Sequence, residues 1–274
     1  MYNSKLLIED SLPPLNPQEF KQLRDSLVIP ASYDLDLARF KSNAVECFSN
    51  TTVNKLEGLG VFHNHDIVTG CQQYVDNLIS KNGIKGLQIF EHDYHYYKKI
   101  DPAIQYVNVG TLSPEKPLLM ALPFPGFLGK HPHLDAILDK CNTENIDVHL
   151  DCAWMPCAFD IDFNFDQPCI KSFAMSFSKA YALNWSKIGI RWTREKDPTD
   201  SISVLNSMNA VPRLHMYVAQ QYMDRFPIDY CVKKYKEMYF EICKGLRLRP
   251  TNIIHACFSI DRKKMYGLKD LMTD

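Results

Sequence analysis

Short apolar runs alternate with segments of helical periodicity from about residue 66 onward. A short apolar run bounded by turn residues is typical of a buried strand, whereas apolar residues that recur every three or four positions are typical of a helix. The alternation predicts an α/β fold in which helices cover a mostly parallel sheet. The predicted strands are residues 87–90, 104–109, 118–122, 146–150, 170–175 and 188–192.

Helical periodicity is clearest over residues 134–141, 211–226 and 232–245. The second of these segments ends before a proline and the third ends at a glycine, and both residues are typical helix terminators. We expect these two helices to lead into a small C-terminal part. The first 60 residues are less regular and contain four prolines between positions 13 and 30, so we expect them to wrap the outside of the domain or a partner subunit.

Length, charge and cysteine content limit the size, the partners and the location that the protein can have. A chain of 274 residues is long enough for one large domain with a small appendage. Its 31 basic and 32 acidic side chains nearly cancel, which argues against nucleic acid or another polyanion as a partner. Nine irregularly spaced cysteines, mostly within apolar runs, indicate reduced thiols and a cytoplasmic location. No segment has the character of a signal peptide or a membrane span, so we expect no membrane association.

A glycine turn precedes the helical pattern that carries Val75 and Leu78. Gly70, Cys71 and Gln72 would form the start of this helix, where free backbone N–H groups and the positive helix end suit a phosphate. Glycine at a helix start is also common for structural reasons alone. The glycine turn therefore indicates a phosphate site only in combination with other motifs.

Two further candidates follow predicted strands. Tyr94 lies in the loop after strand 87–90, where an aromatic ring can lie against a heteroaromatic ligand, although it could equally pack against its aromatic neighbours. Asp151 ends the strand that begins at residue 146, and ligands of open α/β sheets bind at that edge. Trp154 would place an indole donor nearby. The alternative is that Asp151 caps a helix and Trp154 belongs to the core.

The segment Ser176-Phe177-Ser178-Lys179 follows the strand at 170–175. A lysine amine can hold a cofactor aldehyde as a Schiff base, but its ordinary pKa of about 10.4 must first be lowered by burial or by nearby cations. Taken alone, the segment could also be a solvated loop. A carboxylate at Asp151 would keep a pyridine nitrogen protonated, so the two residues together indicate pyridoxal phosphate chemistry.

Together, these segments resemble the fold type I pyridoxal phosphate enzymes, above all the class I and II aminotransferase superfamily. In that superfamily a glycine-containing helix start, a stacking aromatic, an aspartate and a Ser-x-Ser-Lys segment occur in the same chain order, and a glycine corresponding to Gly189 follows. The resemblance covers roughly residues 60–245. It implies a three-layer α/β/α large domain with a mostly parallel mixed sheet and a reduced small C-terminal portion.

The resemblance also implies a role for each matching residue. Lys179 would form the Schiff base and carry the proton between the substrate α-carbon and the cofactor, pyridoxal 5'-phosphate. Asp151 would bind the pyridinium nitrogen, Tyr94 would stack on the ring, and the Trp154 indole would meet the phenolic oxygen. The phosphate would be held by Gly70, Cys71, Gln72, Ser176, Ser178 and Lys187.

This chain departs from the superfamily pattern at three places in the cofactor site. Trp154 stands where the family usually has tyrosine, and Lys187 stands where it has an arginine for the phosphate. A lysine supplies a point charge without the bidentate fork of arginine, and Arg191 is the alternative cation. The family's asparagine has no counterpart in the proline-rich segment 122–126, which leaves one cofactor hydrogen bond without a residue.

By resemblance, residues 1–60 form an N-terminal arm, residues 61–228 form the large cofactor-binding domain, and residues 229–274 form a bridging helix and a truncated small domain. In the family, the small domain supplies an arginine that binds the substrate carboxylate. The late arginines of this chain are Arg247, Arg249 and Arg262, and none of them can be assigned to that role from the sequence.

The leading hypothesis is an aminotransferase that moves an amino group between an amino acid and a 2-oxo acid and works as a homodimer. One alternative keeps the cofactor but leads to decarboxylation, elimination or carbon–carbon chemistry, because a fold does not fix the reaction. A second alternative is a non-catalytic, truncated binding protein. No metal site is expected: residues 160–166 imitate a calcium loop, but Phe165 and Lys171 stand where that loop requires glycine and glutamate.

Overall fold

The computed structural model describes residues 12–30, 36–83 and 86–273. Strands and helices alternate along most of this range. The strands are β1 (Lys55–Glu57), β2 (Asn64–Val68), β3 (Gln88–Phe90), β4 (Gln105–Val107), β5 (Leu118–Ala121), β6 (Val148–Asp151), β7 (Asp162–Asn164), β8 (Ile170–Ser176), β9 (Gly189–Thr193), β10 (Arg249–Pro250), β11 (Ala256–Phe258) and β12 (Met265–Gly267). The helices are α1 (Gln18–Ser26), α2 (Leu37–Ser49), α3 (Cys71–Asn82), α4 (Tyr96–Ile100), α5 (Leu134–Glu144), α6 (Phe177–Ala180), α7 (Ser201–Ser207), α8 (Arg213–Met223), α9 (Tyr230–Gly245) and α10 (Lys269–Met272).

A seven-stranded sheet with the order β2-β9-β8-β6-β5-β3-β4 organises the fold. Strands β8, β6, β5, β3 and β4 pair in parallel, whereas β9 runs antiparallel to both of its neighbours. Since successive side chains of a strand point to opposite faces, each strand contributes to two cores. Leu119 packs with helix α3, whereas Leu118 and Met120 belong to the core on the other face. The predicted three-layer α/β/α fold with a mostly parallel mixed sheet is confirmed.

The six strands predicted from apolar runs are all present, and no strand end is displaced by more than two residues. Strand β2 was not predicted, because its first three residues, Asn64, His65 and Asp66, are polar. It lies at the edge of the sheet, where pairing with β9 through the backbone does not require an apolar sequence.

The N-terminal region is more regular than predicted. Residues 18–26 and 37–49 form helices α1 and α2, and Phe20, Phe40 and Phe48 on these helices are almost completely buried. The proline-rich pattern masked this helical periodicity. These two helices were not predicted, and their buried side chains join the main core of the domain, while residues 1–11 and 31–35 of the predicted arm lie outside the described residues.

The C-terminal part consists of helix α9, the antiparallel sheet β10-β11-β12 and the short helix α10. The Tyr239 hydroxyl on α9 donates to the Ala256 carbonyl at 2.8 Å, which fixes β11 against the helix. The backbone N–H of Ile254 donates to the Cys157 carbonyl at 3.1 Å. This bond attaches the C-terminal part to the loop between β6 and β7. Within the described ranges, no helix combines the length and the apolar character needed to cross a membrane.

Candidate functional site

The pairing of the strands in the large sheet places the predicted site residues together at the carboxyl ends of β2, β6 and β8. Asp151, the last residue of β6, is opposite Ala174 of β8. At the end of β8, Ser176 is opposite Gly189 of β9, and Gly189 is also opposite Val68 at the end of β2. The loops that carry the glycine turn, the aspartate and the lysine therefore leave the sheet side by side, as expected for the ligand-binding edge of an open α/β sheet.

Gly70 precedes helix α3 in a left-handed conformation with φ of +83°, which favours glycine. A Cβ atom at this position would lie 3.7 Å from Cβ of Lys187 and 4.0 Å from Oγ of Ser178. Gly70 thus faces a small gap that is bordered by a hydroxyl and by the stem of a lysine. The free N–H groups at the start of α3 lie at the same place, and this combination suits an anion.

Gly189 allows two strands to approach closely at the site. A Cβ atom there would lie 2.2 Å from the carbonyl oxygen of Met175 and 2.8 Å from Cα of Ser176, so no other residue fits without a shift of the backbone. This close contact fixes the start of β9 against the end of β8. It therefore positions Lys187 relative to Ser178.

Lys187 and Arg191, the two candidate cations, have different surroundings. Lys187 is exposed, and its Nζ donates to Oε1 of Gln72 at 3.2 Å, so its charge lies near the start of α3. Arg191 is buried and pairs with Asp66 at 2.6 Å and with Asp200 at 2.7 Å. Arg191 is thus committed to an interior ion-pair cluster, and the alternative that it serves a phosphate has no support in the structure.

Asp151 is 6% exposed and accepts two hydrogen bonds. Its Oδ2 accepts from the Tyr97 hydroxyl at 2.9 Å, and its Oδ1 accepts from the backbone N–H of Ala153 at 3.0 Å. Burial raises the pKa of Asp151, and these hydrogen bonds oppose the shift. Tyr97 was not predicted as a site residue, and the one signal in the sequence is its position one helical turn after Tyr94.

Tyr94 lies beside this carboxylate. Its ring contacts the Tyr97 ring edge to face at 5.5 Å and stacks on the Tyr96 ring at 5.7 Å. Burial, followed by the charge of Asp151, raises the pKa of Tyr94. The residue is nevertheless 36% exposed, so part of its surface remains available to a ligand. Trp154 is partly buried against the main core, three residues beyond Asp151.

Lys179 lies on the four-residue helix α6 that follows β8. Its Nζ donates to the backbone carbonyl of Leu12. Burial lowers the pKa of Lys179; the Cys157 thiol opposes this shift, while the positive charge of Lys187 reinforces it. A lysine with a lowered pKa is more often neutral, and the neutral amine is the nucleophile. The direction of this shift is the one that the Schiff-base hypothesis requires.

A second buried acid, Asp93, also adjoins the site and was not predicted. Its carboxylate accepts from the backbone N–H of Tyr94 at 2.6 Å and from that of Ala121 at 3.2 Å. Burial raises the pKa of Asp93 to about 8, against the lowering effect of these two hydrogen bonds, and the charge of Asp151 adds to the increase. Asp93 joins the loop of Tyr94 to the end of β5, a contact between residues distant in sequence that no local pattern indicates.

Comparison with known proteins gives a similarity in structure but not in sequence. No protein-family model and no curated protein matches the sequence. Among solved structures, substrate-bound BacF from Bacillus subtilis matches with a TM-score of 0.67 and 13% identity, over 93% of this chain and 75% of that chain. An aminotransferase from Mycobacterium tuberculosis matches with a TM-score of 0.62 and 14% identity, over 92% and 74% of the two chains.

The PLP-bound C-S lyase from Staphylococcus hominis also matches, with a TM-score of 0.64 and 11% identity, over 94% of this chain and 78% of that chain. At these low identities the similarity establishes the fold. The chain therefore has the fold that BacF, this aminotransferase and this C-S lyase share, as the sequence motifs predicted.

Proposed function

We propose that the protein binds pyridoxal 5'-phosphate and moves an amino group between an amino acid and a 2-oxo acid. The observation that carries the proposal is the position, at the carboxyl ends of neighbouring strands, of the buried carboxylate of Asp151, the partly buried Lys179 and the gap at Gly70. Solved structures with this fold include aminotransferases and a PLP-bound C-S lyase.

The residues present fit this cofactor. The gap bordered by Gly70, Ser178 and Lys187 offers a hydroxyl, a cation and helix N–H groups to a phosphate, and Cys71, Gln72 and Ser176 adjoin it. Asp151 is held by two hydrogen bonds and can pair with a protonated ring nitrogen, and the exposed part of Tyr94 can lie against the ring. Trp154 would supply an indole N–H to the phenolic oxygen.

When bound, pyridoxal phosphate supplies an electron sink for the substrate α-carbon. Lys179 would hold the cofactor through its Nζ, and once replaced by the substrate amine, the same Nζ would accept the α-proton and pass it to the cofactor. Asp151 would keep its negative charge against the ring nitrogen throughout. Burial of Asp151 keeps water away from its carboxylate and strengthens its electrostatic interactions, while Lys179 is partly buried.

A second candidate reaction uses the same residues for elimination. It is favoured by the C-S lyase among the solved structures with this fold. In that reaction Lys179 removes the same proton, but a leaving group departs from the β-carbon of the amino acid and no 2-oxo acid acceptor is needed. The two reactions are therefore separable by their products.

The test is a single-turnover experiment on protein loaded with pyridoxal phosphate and mixed with each of the twenty amino acids. Transfer predicts one equivalent of 2-oxo acid and conversion of the cofactor to its amine form, which an added 2-oxo acid reverses. Elimination predicts ammonia and a 2-oxo acid with the cofactor unchanged. Loaded Lys179→Ala protein is the control and should give neither result. A loaded wild-type protein that gives neither with any amino acid would contradict the proposal.

We further propose that the protein is a homodimer and that it is cytoplasmic. We also propose that residues 1–60 form an arm, residues 61–228 a large cofactor domain and residues 229–274 a small domain. The homodimer is supported by the site's position at an open sheet edge, where a second subunit can cover it. Sedimentation of the loaded protein at micromolar concentration should give a mass near twice 31.7 kDa. A mass near 31.7 kDa at all concentrations would contradict the dimer.

A further inference from the structure

A cleft of about 660 Å³ opens at the amino ends of the parallel strands, at the opposite end of the sheet from Asp151 and Lys179. It lies between the last turns of α3, the starts of β6 and β8, and the loop that joins β9 to α7. Within the described ranges, none of the residues proposed for the cofactor lines it. The cleft is thus separate from the proposed cofactor site.

Three polar side chains that line this cleft form a row. The Tyr74 hydroxyl on α3 lies 2.7 Å from Oγ of Ser172 on β8, and the same oxygen lies 2.7 Å from Nδ1 of His149 on β6. Tyr74 and Ser172 are buried, whereas His149 is partly exposed. A helix and two strands therefore hold the imidazole in one place at the wall of the cleft.

The directions of the hydrogen bonds in this row follow from its buried end. The Tyr74 hydroxyl is completely buried, and among the described residues it makes its hydrogen bond to Ser172 alone. Tyr74 must then donate to Ser172, because the opposite direction would leave its own proton without an acceptor in the interior. Ser172 in turn donates to Nδ1 of His149. The proton of the neutral imidazole therefore stays on Nε2.

The Nε2–H group of His149 is a free donor at the cleft. No acceptor for it is found in the described part of the chain, and Nε2 is not one of the enclosed, unpaired atoms of the interior. Burial, followed by the positive charges of Lys81, Lys171 and Arg191, lowers the pKa of His149 to about 4. The imidazole is thus a neutral donor in a positive local potential. Such a donor favours an acceptor that carries negative charge.

Three lysines border the cleft: Lys81 in the last turn of α3, Lys171 on β8 and Lys196 after β9. Lys81 pairs with Asp197 at 2.7 Å and Lys171 pairs with Asp147 at 3.6 Å, and these four side chains are 38–52% exposed. Exposed ion pairs contribute little to stability, so both lysines can turn to a ligand at small cost. The charge of Lys81 also offsets the negative end of α3.

These donors suit a phosphate group. Lysine is a point charge that binds a tetrahedral phosphate from any side, whereas a planar carboxylate is bound best by the fork of arginine. The arginines that line the cleft, Arg191 and Arg194, are already paired with carboxylates. The volume of the cleft falls within the range of small-molecule sites, about 300–1,000 Å³, so there is room for more than a bare ion.

We propose that this cleft binds the phosphate group of a small molecule, with His149 donating through Nε2–H and with Lys81 and Lys171 supplying positive charge. The site takes its ligand at the end of the sheet that the cofactor does not use. Its occupation therefore does not depend on pyridoxal phosphate chemistry.

The test is a calorimetric titration with inorganic phosphate and with glycerol 3-phosphate. It uses protein loaded with pyridoxal phosphate, in which the gap at Gly70 is filled, and unloaded Lys187→Met, in which that gap lacks its cation. The second protein keeps the test valid even if the proposed function fails. Both should bind one phosphate group per chain with the same affinity. Tighter binding of glycerol 3-phosphate would identify a monoester as the occupant, and equal binding would identify the free ion. Absence of saturable binding of either would overturn the inference.

Lys81→Met and Lys171→Met should each weaken binding by about ten-fold or more, the range for a hydrogen bond to a charged group. Lys140→Met is the matched control, since Lys140 is also paired with a carboxylate, that of Glu144 at 3.0 Å, but does not line the cleft; it should bind as wild type does. Succinate, a planar dicarboxylate, should bind more weakly than phosphate. Unchanged affinity in both lysine variants, or succinate binding as tightly as phosphate, would contradict the proposal.

The imidazole gives an independent readout. Nitrogen NMR of the free protein should show His149 protonated at Nε2, with its signal assigned by its loss in His149→Gln. Phosphate should shift this signal in wild type and in Lys140→Met at the concentrations that the titration gives. A proton on Nδ1, or a His149 signal that phosphate leaves unchanged, would overturn the assignment of His149 as the donor.

Discussion

Removing Arg191 should destabilise the fold without weakening a phosphate site. Arg191 is the centre of a buried cluster in which its guanidinium pairs with Asp66 on β2 and with Asp200 before α7, and donates to the Ser203 hydroxyl. The side chains of Asp66 and Asp200 are only 12% and 4% exposed. Arg191→Met therefore leaves two carboxylates in the interior without their shared cation.

The loss of one partner from a buried ion pair costs about 3–5 kcal/mol, because the remaining charge stays desolvated. A domain of this size loses about 2–4 °C of melting temperature per kcal/mol, so Arg191→Met should melt about 6–20 °C below wild type. Urea unfolding followed by tryptophan fluorescence, together with a thermal melt, measures both quantities. Lys140→Met is the control, since it breaks a surface pair with Glu144 one helical turn away and should cost about 0.3–0.5 kcal/mol.

The same variant separates the two candidate phosphate cations. Lys187→Met should weaken binding of pyridoxal phosphate while leaving unfolding nearly unchanged, because the Lys187 side chain is exposed. Arg191→Met, measured at a temperature where it is folded, should bind the cofactor as wild type does. The reasoning is refuted if Arg191→Met unfolds no more easily than Lys140→Met, or if it loses cofactor affinity while Lys187→Met retains it.

Three more changes have defined outcomes. Gly189→Ala should cost about 3 kcal/mol or more in urea unfolding, since its Cβ meets backbone atoms, whereas Gly60→Ala, with no atom within 4 Å of its Cβ, should cost less than about 1 kcal/mol; equal costs would contradict the close strand contact. Asp93→Asn tests a pH dependence: the folded pKa of about 8 exceeds the ordinary 3.8, so the folded state binds the extra proton between these values, and the free energy of unfolding of wild type should fall, relative to the variant, as pH rises from 5 to 8. A parallel pH dependence of the two proteins would be inconsistent with a raised pKa. Tyr97→Phe removes a donor to Asp151 and should raise the pKa of that carboxyl, so that cofactor affinity declines at a higher pH than in wild type when the solution is acidified; coincident titration curves would rule this out.

The large sheet was predictable because most of its strands are buried on both faces and therefore read as continuous apolar runs. Strand β2 escaped prediction because tertiary pairing and the ion pair of Asp66, not apolar character, hold it in the sheet. The strands β10, β11 and β12 have only two or three residues each, which is too short for any periodicity to be read. Helices α1 and α2 were obscured by the prolines around them.

The positions of Asp151 and Lys179 after neighbouring strands were predictable, because each follows an apolar run in the sequence. Residues that reach the site only through contacts between segments distant in sequence were not predictable. Tyr97 reaches Asp151 because the short helix α4 places it there, and Asp93 reaches the end of β5 through backbone N–H groups.

The most direct test of the central claim is to locate the bond between pyridoxal phosphate and the protein. Wild-type protein is loaded with the cofactor, reduced with borohydride, digested and analysed by mass spectrometry, alongside Lys179→Ala and Lys187→Ala. The account predicts one reduced cofactor per chain, attached to Lys179, present in Lys187→Ala at saturating cofactor and absent from Lys179→Ala. Attachment to several surface lysines, or an equal yield from Lys179→Ala, would contradict it.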